Sequence, residues 1–185
     1  MNRANSLKAI IGAFMKQRAI PREMEQNLVK EAIHVHLLSA LSEAGVLRRV
    51  TFQGGTALRL CYAGERYSED LDFVCGKSGS CLDDLEFTGL IQSALDATKR
   101  SLQREFDVDP SQVTLKHPQA PSIIRGDKVA VAAWQIVVPI NPAPGSPKST
   151  IKIEFANVPS YDSRPRIVRV TPGLVQVQDL SLIHI

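Results

Sequence analysis

The sequence lacks the features that would place it at once in a secreted, metal-binding or membrane class. It has three cysteines, Cys61, Cys75 and Cys81, and no CxxC pair, so neither a disulfide framework nor a zinc site is expected. No apolar run approaches the ~20 residues that span a bilayer. The short apolar stretch near the N-terminus is broken by Lys8 and Lys16 and has no signal-peptide cleavage site. We therefore expect a cytoplasmic protein in a reducing environment, with no membrane partner.

The excess of positive over negative charge is also small. The net charge of +3 over 185 residues is compatible with a nucleic-acid partner and does not demonstrate one. Hydrophobic residues make up 44% of the chain and charged residues 22%, which is ordinary for a globular domain. A chain of this length is long enough for one domain with its own hydrophobic core.

Apolar periodicity and the positions of proline and glycine predict interleaved helices and strands. Because the order shows no strict βαβ rhythm, we predict an α+β fold with a mixed sheet flanked by helices. The predicted helices are 5–18, the segment between Pro21 and Gly45, a helix starting near Thr56, and 82–106. The predicted strands are 50–53, 71–75, 113–117, 128–140 and 150–157, with 166–170 and 174–177 as further short strands.

An acidic pair, Asp70 and Asp72, lies in the segment FQGGTALRLCYAGERYSEDLDF of residues 52–73. Side chains two positions apart on a strand point to the same side. Two carboxylates held together are unfavourable unless a cation neutralises them. A pair of Mg²⁺ ions, as used in phosphoryl transfer, meets this need.

A glycine turn precedes the acidic pair. Gly54 and Gly55 would let the backbone approach a phosphate, and the amides at the start of the following helix favour an anion. The hydroxyl of Thr56 can bond a phosphate oxygen, while Arg66 and Ser68 add a positive charge and a short donor. Each piece alone is common in solvated or tight turns, and their joint occurrence in one strand–helix–strand unit is what favours a nucleotide site.

The spacing of the glycine turn and the acidic pair resembles the signature of the DNA polymerase beta-like nucleotidyltransferases. The fuller string GGTALRL…R.SEDLDF is similar to the AbiEii/AbiGii family, toxins of type IV toxin–antitoxin and abortive-infection systems. The resemblance is strong over residues 52–73 and extends, more weakly, to about residue 177. It implies Mg²⁺-dependent transfer of NMP from an NTP to an acceptor hydroxyl. It also implies tRNA or another RNA as the acceptor, and a cognate antitoxin encoded nearby.

The resemblance further implies a third carboxylate on a later strand. The segment IKIEFAN supplies Glu154 between Ile153 and Phe155, and an acid in an apolar strand is unfavourable unless it is paired or metal-bound. The alternative is an edge-strand glutamate that faces water beside Lys152. On the first reading the three carboxylates converge within several ångströms. The predicted catalytic residues and metal ligands are then Asp70, Asp72 and Glu154.

Other polar features have plainer interpretations. The GKS of residues 76–78 lacks the earlier glycine of a P-loop, because that position is Leu71. His34 and His36 lack metal-ligand spacing and are predicted to be structural. A basic cluster near the C-terminus is either a solvated strand edge or a contact for RNA phosphates; its members are Arg164, Arg166 and Arg169.

The C-terminal part departs from the family pattern. The helical region with a lysine near the nucleotide, which family members carry downstream, has no counterpart in residues 158–185. We therefore expect residues 1–179 to be the N-terminal part of a nucleotidyltransferase catalytic core, and 180–185 (LSLIHI) a non-native tail. On this expectation the sheet presents an apolar surface, at 129–140 and 174–177, that further helices would cover.

Two other functions remain open on the sequence. One is a nucleotidyltransferase that modifies a small molecule such as an antibiotic. The other is a catalytically silent module that binds a nucleotide or another protein.

Overall fold

The computed structural model describes residue 16, residues 19–76, 80–118, 133–140 and 149–158, and the backbone of 167–168 and 183–184. Its helices are α1 (Glu25–Glu43), α2 (Gly54–Tyr62) and α3 (Asp84–Phe106). Its strands are β1 (Thr51–Gln53), β2 (Leu71–Val74), β3 (Thr114–Lys116), β4 (Ala133–Ile140), β5 (Ser149–Ala156), β6 (Ile167–Val168) and β7 (Ile183–His184). Three short 3₁₀ turns cover Arg22–Met24, Val46–Arg48 and Pro110–Gln112.

Five strands form a mixed sheet in the order β1-β2-β5-β4-β3. The pair β2–β5 is parallel, and the other neighbours are antiparallel. The strands β6 and β7 pair separately. The predicted α+β fold with a mixed sheet and flanking helices is confirmed.

One face of the sheet carries the hydrophobic core. In β5 the side chains of Ile151, Ile153 and Phe155 are buried and alternate with partly exposed residues, as the period of two along a strand requires. The ring of Phe155 stacks on Phe73 of β2 with centroids 5.2 Å apart. These side chains belong to one cluster with buried residues of α1 and α3, so the helices cover this face of the sheet.

Local signals set the helix boundaries. The chain turns into α1 after Pro21, whose φ is −60°, and leaves it at Gly45, whose φ of +74° suits glycine. The helix α3 begins at Asp84 and not at residue 82, because the Asp83 side chain caps it by accepting from the N–H of Glu86 at 2.8 Å. The predicted start of α2 at Thr56 is wrong by two residues, since the helix already begins at Gly54.

The apolar surface expected on the sheet stays a prediction in the described part of β4. Its side chains are buried or half-buried, and the exposed large hydrophobic residues of the described chain lie on helices: Leu58, Tyr62 and Leu85. The expected helix 5–18 falls outside the described residues except for residue 16, and the expected strand 174–177 falls outside them entirely. Among the described helices, none has the length and hydropathy that crossing a lipid bilayer requires.

Candidate active site

A row of polar side chains crosses the face of the sheet opposite the core. Asp72 of β2 and Glu154 of β5 are direct partners on neighbouring parallel strands, and both are half-buried. The glutamate therefore shares a face with Asp72. The edge-strand alternative for Glu154 is wrong, because β5 lies between β2 and β4. Outward from the two acids, the row continues in register to Gln53 on one side and Gln135 on the other.

The two acids of the row lie close to a third. Burial raises the pKa of the Asp72 carboxyl, and the negative charges of Glu154 and Asp70 raise it further. Gln135 steadies the arrangement by donating from Nε2 to Oε1 of Glu154 at 2.8 Å. The site thus concentrates negative charge that a bound cation would relieve.

Asp70 lies just before β2 and is bonded to Lys152 in the middle of β5. Its Oδ1 accepts from the backbone N–H of Lys152 at 2.9 Å, and its Oδ2 is 3.8 Å from the Lys152 ammonium. The prediction that Asp70 and Asp72 point to the same side assumed that both lie on one strand. The strand β2 begins at Leu71, so Asp70 lies outside it. Asp70 is therefore oriented by its contacts with β5.

The glycine turn lies against the acidic residues. Gly54 has a φ of +79°, and a Cβ built there would overlap Oδ2 of Asp72. A Cβ on Gly55 would come within 2.9 Å of the Ser68 hydroxyl. Only residues without a side chain let the backbone run this close to Asp72 and Ser68. The turn and the acids form one unit, as the sequence pattern predicts.

Thr56 joins the turn to the acidic pair. It is buried, and its hydroxyl donates to the backbone carbonyl of Asp70 at 2.5 Å. The only proton of that hydroxyl is therefore engaged within the protein. A direct phosphate contact by Thr56 stays a prediction, whereas its part in positioning Asp70 is visible in the structure.

Replacing Thr56 by Val should lower the free energy of unfolding by about 1–2 kcal/mol, because the carbonyl of Asp70 loses its buried donor. Denaturant unfolding followed by circular dichroism measures this change. The matched variant Thr56→Ser keeps the hydroxyl and should recover most of the loss. Equal destabilisation by both variants would mean that the methyl group, and not the hydrogen bond, is what matters.

The loop between α2 and β2 carries the other two predicted nucleotide-binding residues. Ser68 lies against Gly55, and Arg66 is exposed. Both precede Asp70 in the chain, in the segment that follows α2. Their contact with a nucleotide stays a prediction.

Helix α1 fixes this loop through buried polar side chains. The Lys30 ammonium donates to Oε2 of Glu69 at 2.6 Å, and Nε2 of His34 lies 3.0 Å from the Glu69 carbonyl. A carbonyl only accepts, so Nε2 of His34 carries the proton. Burial lowers the pKa of His34 to about 4, so the ring is neutral at pH 7. The structural role predicted for His34 fits this contact.

Arg59 also holds the loop between α2 and β2, and the sequence motifs did not single it out. Its guanidinium pairs with the carboxylate of Glu31 on α1 and lies 3.5 Å from the ring centroid of Tyr67. It also donates to the carbonyls of Gly64 at 3.1 Å and Glu65 at 3.2 Å. A sequence signal existed, because the charged residues at positions 30 and 31 stand between the apolar positions 28–29 and 32–33 of the helix. Such residues need buried partners.

The residues of the site have the donor chemistry of a hard divalent cation. Carboxylate oxygens are the ligands that Mg²⁺ prefers, and Asp72 is poorly compensated by its surroundings. Within the described ranges, however, no group of three or more His, Cys, Asp or Glu side chains is already gathered closely enough to hold a metal ion. The pair Asp72 and Glu154 fits such an ion, and the complete three-ligand set with Asp70 stays a prediction.

Comparison with known proteins identifies the family. Residues 36–180 match the family described as nucleotidyl transferase AbiEii toxin of type IV toxin–antitoxin systems. The chain belongs to this family. The matched range contains the glycine turn, Asp70, Asp72 and Glu154, so the AbiEii assignment covers the whole candidate site.

Two solved structures from Helicobacter pylori are similar to this AbiEii-family chain. One, described as a candidate nucleotidyltransferase, is 22% identical over 72% of this chain and 46% of its own, with a TM-score of 0.37. The other, JHP933, is 20% identical over 78% of this chain and 50% of its own, with a TM-score of 0.40. The chain thus spans about half the length of both. No curated protein matches the sequence closely enough to count as a relative.

Proposed function

We propose that this chain is the catalytic core of a Mg²⁺-dependent nucleotidyltransferase that transfers NMP from an NTP to an acceptor hydroxyl. The observation that carries the proposal is the pairing of Asp72 with Glu154 on the face of the sheet opposite the core, directly beside the Gly54 turn. Membership of the AbiEii family supports the same reaction class. In this role the protein is the toxin of a type IV toxin–antitoxin system that acts in abortive infection, and its antitoxin is encoded nearby.

The glycine turn is the proposed binding site of the triphosphate. Backbone N–H groups at the start of α2 point outward with the positive end of the helix dipole, which favours an anion. Gly54 and Gly55 bring the backbone of the turn close to Asp72 and Ser68, so a triphosphate bound to the N–H groups of the turn would lie beside the carboxylates. Arg66 and Ser68, on the adjoining loop, supply a further charge and donor.

The carboxylates are proposed to act on the α-phosphate. Asp70, Asp72 and Glu154 would hold two Mg²⁺ ions, which supply charge neutralisation and lower the pKa of the acceptor hydroxyl. The acceptor oxygen attacks the α-phosphorus as its proton leaves to water. The bond to the β-phosphate breaks, and pyrophosphate departs with the electron pair. The rest of the rate enhancement comes from positioning by a preorganised turn and strand.

The proposed acceptor is tRNA or another RNA, and the proposed location is the cytoplasm. The family match supports a nucleotidyltransferase toxin, and the net charge of +3 is compatible with an RNA partner.

Transfer of label from α-³²P-labelled NTPs tests the proposal. Each NTP is incubated with the chain and Mg²⁺, with a tRNA pool, with aminoglycosides, or with no acceptor. Label on RNA, lost in Asp72→Asn and in EDTA, is the expected result. Label on an aminoglycoside would replace the proposal by small-molecule modification. Tight NTP binding without transfer to any acceptor would indicate a silent nucleotide-binding module.

A further inference from the structure

We propose that Lys116, on the last strand of the sheet, binds a phosphate of the RNA acceptor and so holds the attacking hydroxyl near Glu154. This inference rests on the proposed nucleotidyltransferase function and adds an acceptor-binding residue to it. It also gives the acceptor side of the site a positive charge, which favours RNA over a cationic acceptor such as an aminoglycoside.

The row of polar side chains extends across the sheet as far as Lys116. Lys116 of β3 is the register partner of Gln135 on β4, and Gln135 is the register partner of Glu154 on β5. Directly opposed residues on neighbouring strands share a face, so Lys116 projects from the same face as Glu154. The adjacent Leu115 packs against the core instead. Because neighbouring strands are ~4.8 Å apart, the Cα atoms of Lys116 and Glu154 are separated by roughly 10 Å.

The order of the strands puts this lysine on the acceptor side of the acids. The glycine turn follows β1 and lies against Asp72 of β2 at Gly54, so a triphosphate on the turn lies on the β1 side of the carboxylates. In phosphoryl transfer the attacking and leaving oxygens are roughly in line through the phosphorus. Pyrophosphate leaves on the side of the turn, so the acceptor hydroxyl approaches from the opposite side. The strands met in that direction are β5, β4 and β3.

The side chains on the acceptor side suit an anionic ligand. Gln135 is uncharged, and its amide already donates to Glu154 at 2.8 Å. Lys116 and Thr114, two positions apart on β3, are both exposed. The ion pairs among the described residues use other cations, which are Lys30, Arg59, Arg104 and Lys152. The Lys116 ammonium can therefore bind an acceptor phosphate without giving up an ion pair with a described residue.

An acceptor contact differs in its consequences from a nucleotide contact or a structural role. Loss of the ammonium should weaken RNA binding and leave NTP binding unchanged, because the triphosphate lies on the other side of the acids. Each phosphate contact releases counterions, so the salt dependence of RNA binding should also become less steep. A lysine with a structural role would instead change the stability of the protein.

The test compares wild type with Lys116→Met. Binding of a fluorescently labelled tRNA pool, with Mg²⁺ and without NTP, is followed by fluorescence anisotropy. At about 50 mM salt the Kd for this pool should rise about fivefold. The slope of log Kd against log salt concentration should fall by about 0.7–0.9. The calorimetric Kd of the NTP that wild type binds most tightly should stay within about twofold.

Two variants serve as controls. Lys116→Arg keeps the charge and should stay near wild type in RNA binding. Lys99→Met makes the same chemical change on α3, which covers the core face, and should leave RNA binding, its salt dependence and NTP binding near wild type. In transfer assays with labelled NTP, the kcat/KM of Lys116→Met for RNA should fall by the same factor as its RNA affinity. Thermal unfolding confirms that each variant is folded.

Two results would overturn the inference alone. In one, wild type binds and labels RNA, and Lys116→Met is indistinguishable from Lys99→Met. In the other, Lys116→Met weakens NTP binding as much as RNA binding, which would assign the lysine to the nucleotide. If wild type labels no RNA, the proposed function falls and this inference with it.

Discussion

Replacing Asp70 by Asn should reduce Mg²⁺-dependent nucleotidyl transfer by about 10²–10³-fold, since a neutral amide no longer holds a divalent ion beside the developing charge. The fold should survive, because the amide oxygen can still accept from the Lys152 N–H that Asp70 now bonds at 2.9 Å. Loss of one of several like charges also removes repulsion within the site. Transfer rates with labelled NTP, together with thermal unfolding, measure both parts of this expectation.

The matched control for Asp70→Asn is Asp84→Asn, an exposed position in the first turn of α3. It makes the same chemical change away from the carboxylate row and should leave transfer within about twofold of wild type. Transfer at the wild-type rate in Asp70→Asn would remove Asp70 from the set of metal ligands. Loss of transfer accompanied by unfolding would show instead that its hydrogen bond to β5 is the main contribution.

Replacing Gly54 by Ala should lower the free energy of unfolding by about 2–4 kcal/mol. The φ of +79° costs a residue with a side chain ~1–2 kcal/mol. The new methyl group would also overlap Oδ2 of Asp72, and such overpacking costs typically ~1–3 kcal/mol. Because the methyl group would displace the carboxylate, transfer should fall as well. Urea unfolding with an unchanged m value measures the stability change.

Gly89→Ala is the matched control, a glycine substitution that should raise the stability of the protein. Gly89 lies inside α3 with nothing within 4 Å of a built Cβ, so alanine should stabilise the protein by about 0.5–1 kcal/mol through its higher helix propensity. The two glycine substitutions are thus expected to have opposite signs. A Gly54→Ala variant as stable as wild type would show that the turn does not press against Asp72.

The site works as a unit because its parts are tied through the backbone. The turn touches Asp72 at Gly54, Thr56 bonds the carbonyl of Asp70, and the N–H of Lys152 bonds the Asp70 carboxylate. We therefore expect a change at any of these points to disturb the others. Helix α1 fixes the loop before β2 through its contacts with Glu69, so the acids lie on a preorganised surface.

Much of the local structure was accessible from the sequence, because its signals act over a few residues. Proline and glycine bracket α1, and apolar alternation marks β5. The period of two along β5 sets Glu154 apart from the buried Ile153 and Phe155. The string of residues 52–73 carries the family resemblance, which the match over residues 36–180 confirms.

What the sequence by itself determined is therefore the class of elements, the alternation of polar and apolar faces, and the family. Only the tertiary structure decided that β2 and β5 are parallel neighbours, which brings Asp70 and Lys152 together across 82 positions of the chain. It alone also decided that Arg59 and His34 hold the loop between α2 and β2 through hydrogen bonds to its carbonyls. Strand pairing depends on long-range packing, which leaves no local pattern in the sequence. A charged residue in a buried helix shows that a partner is needed, but not which residue supplies it.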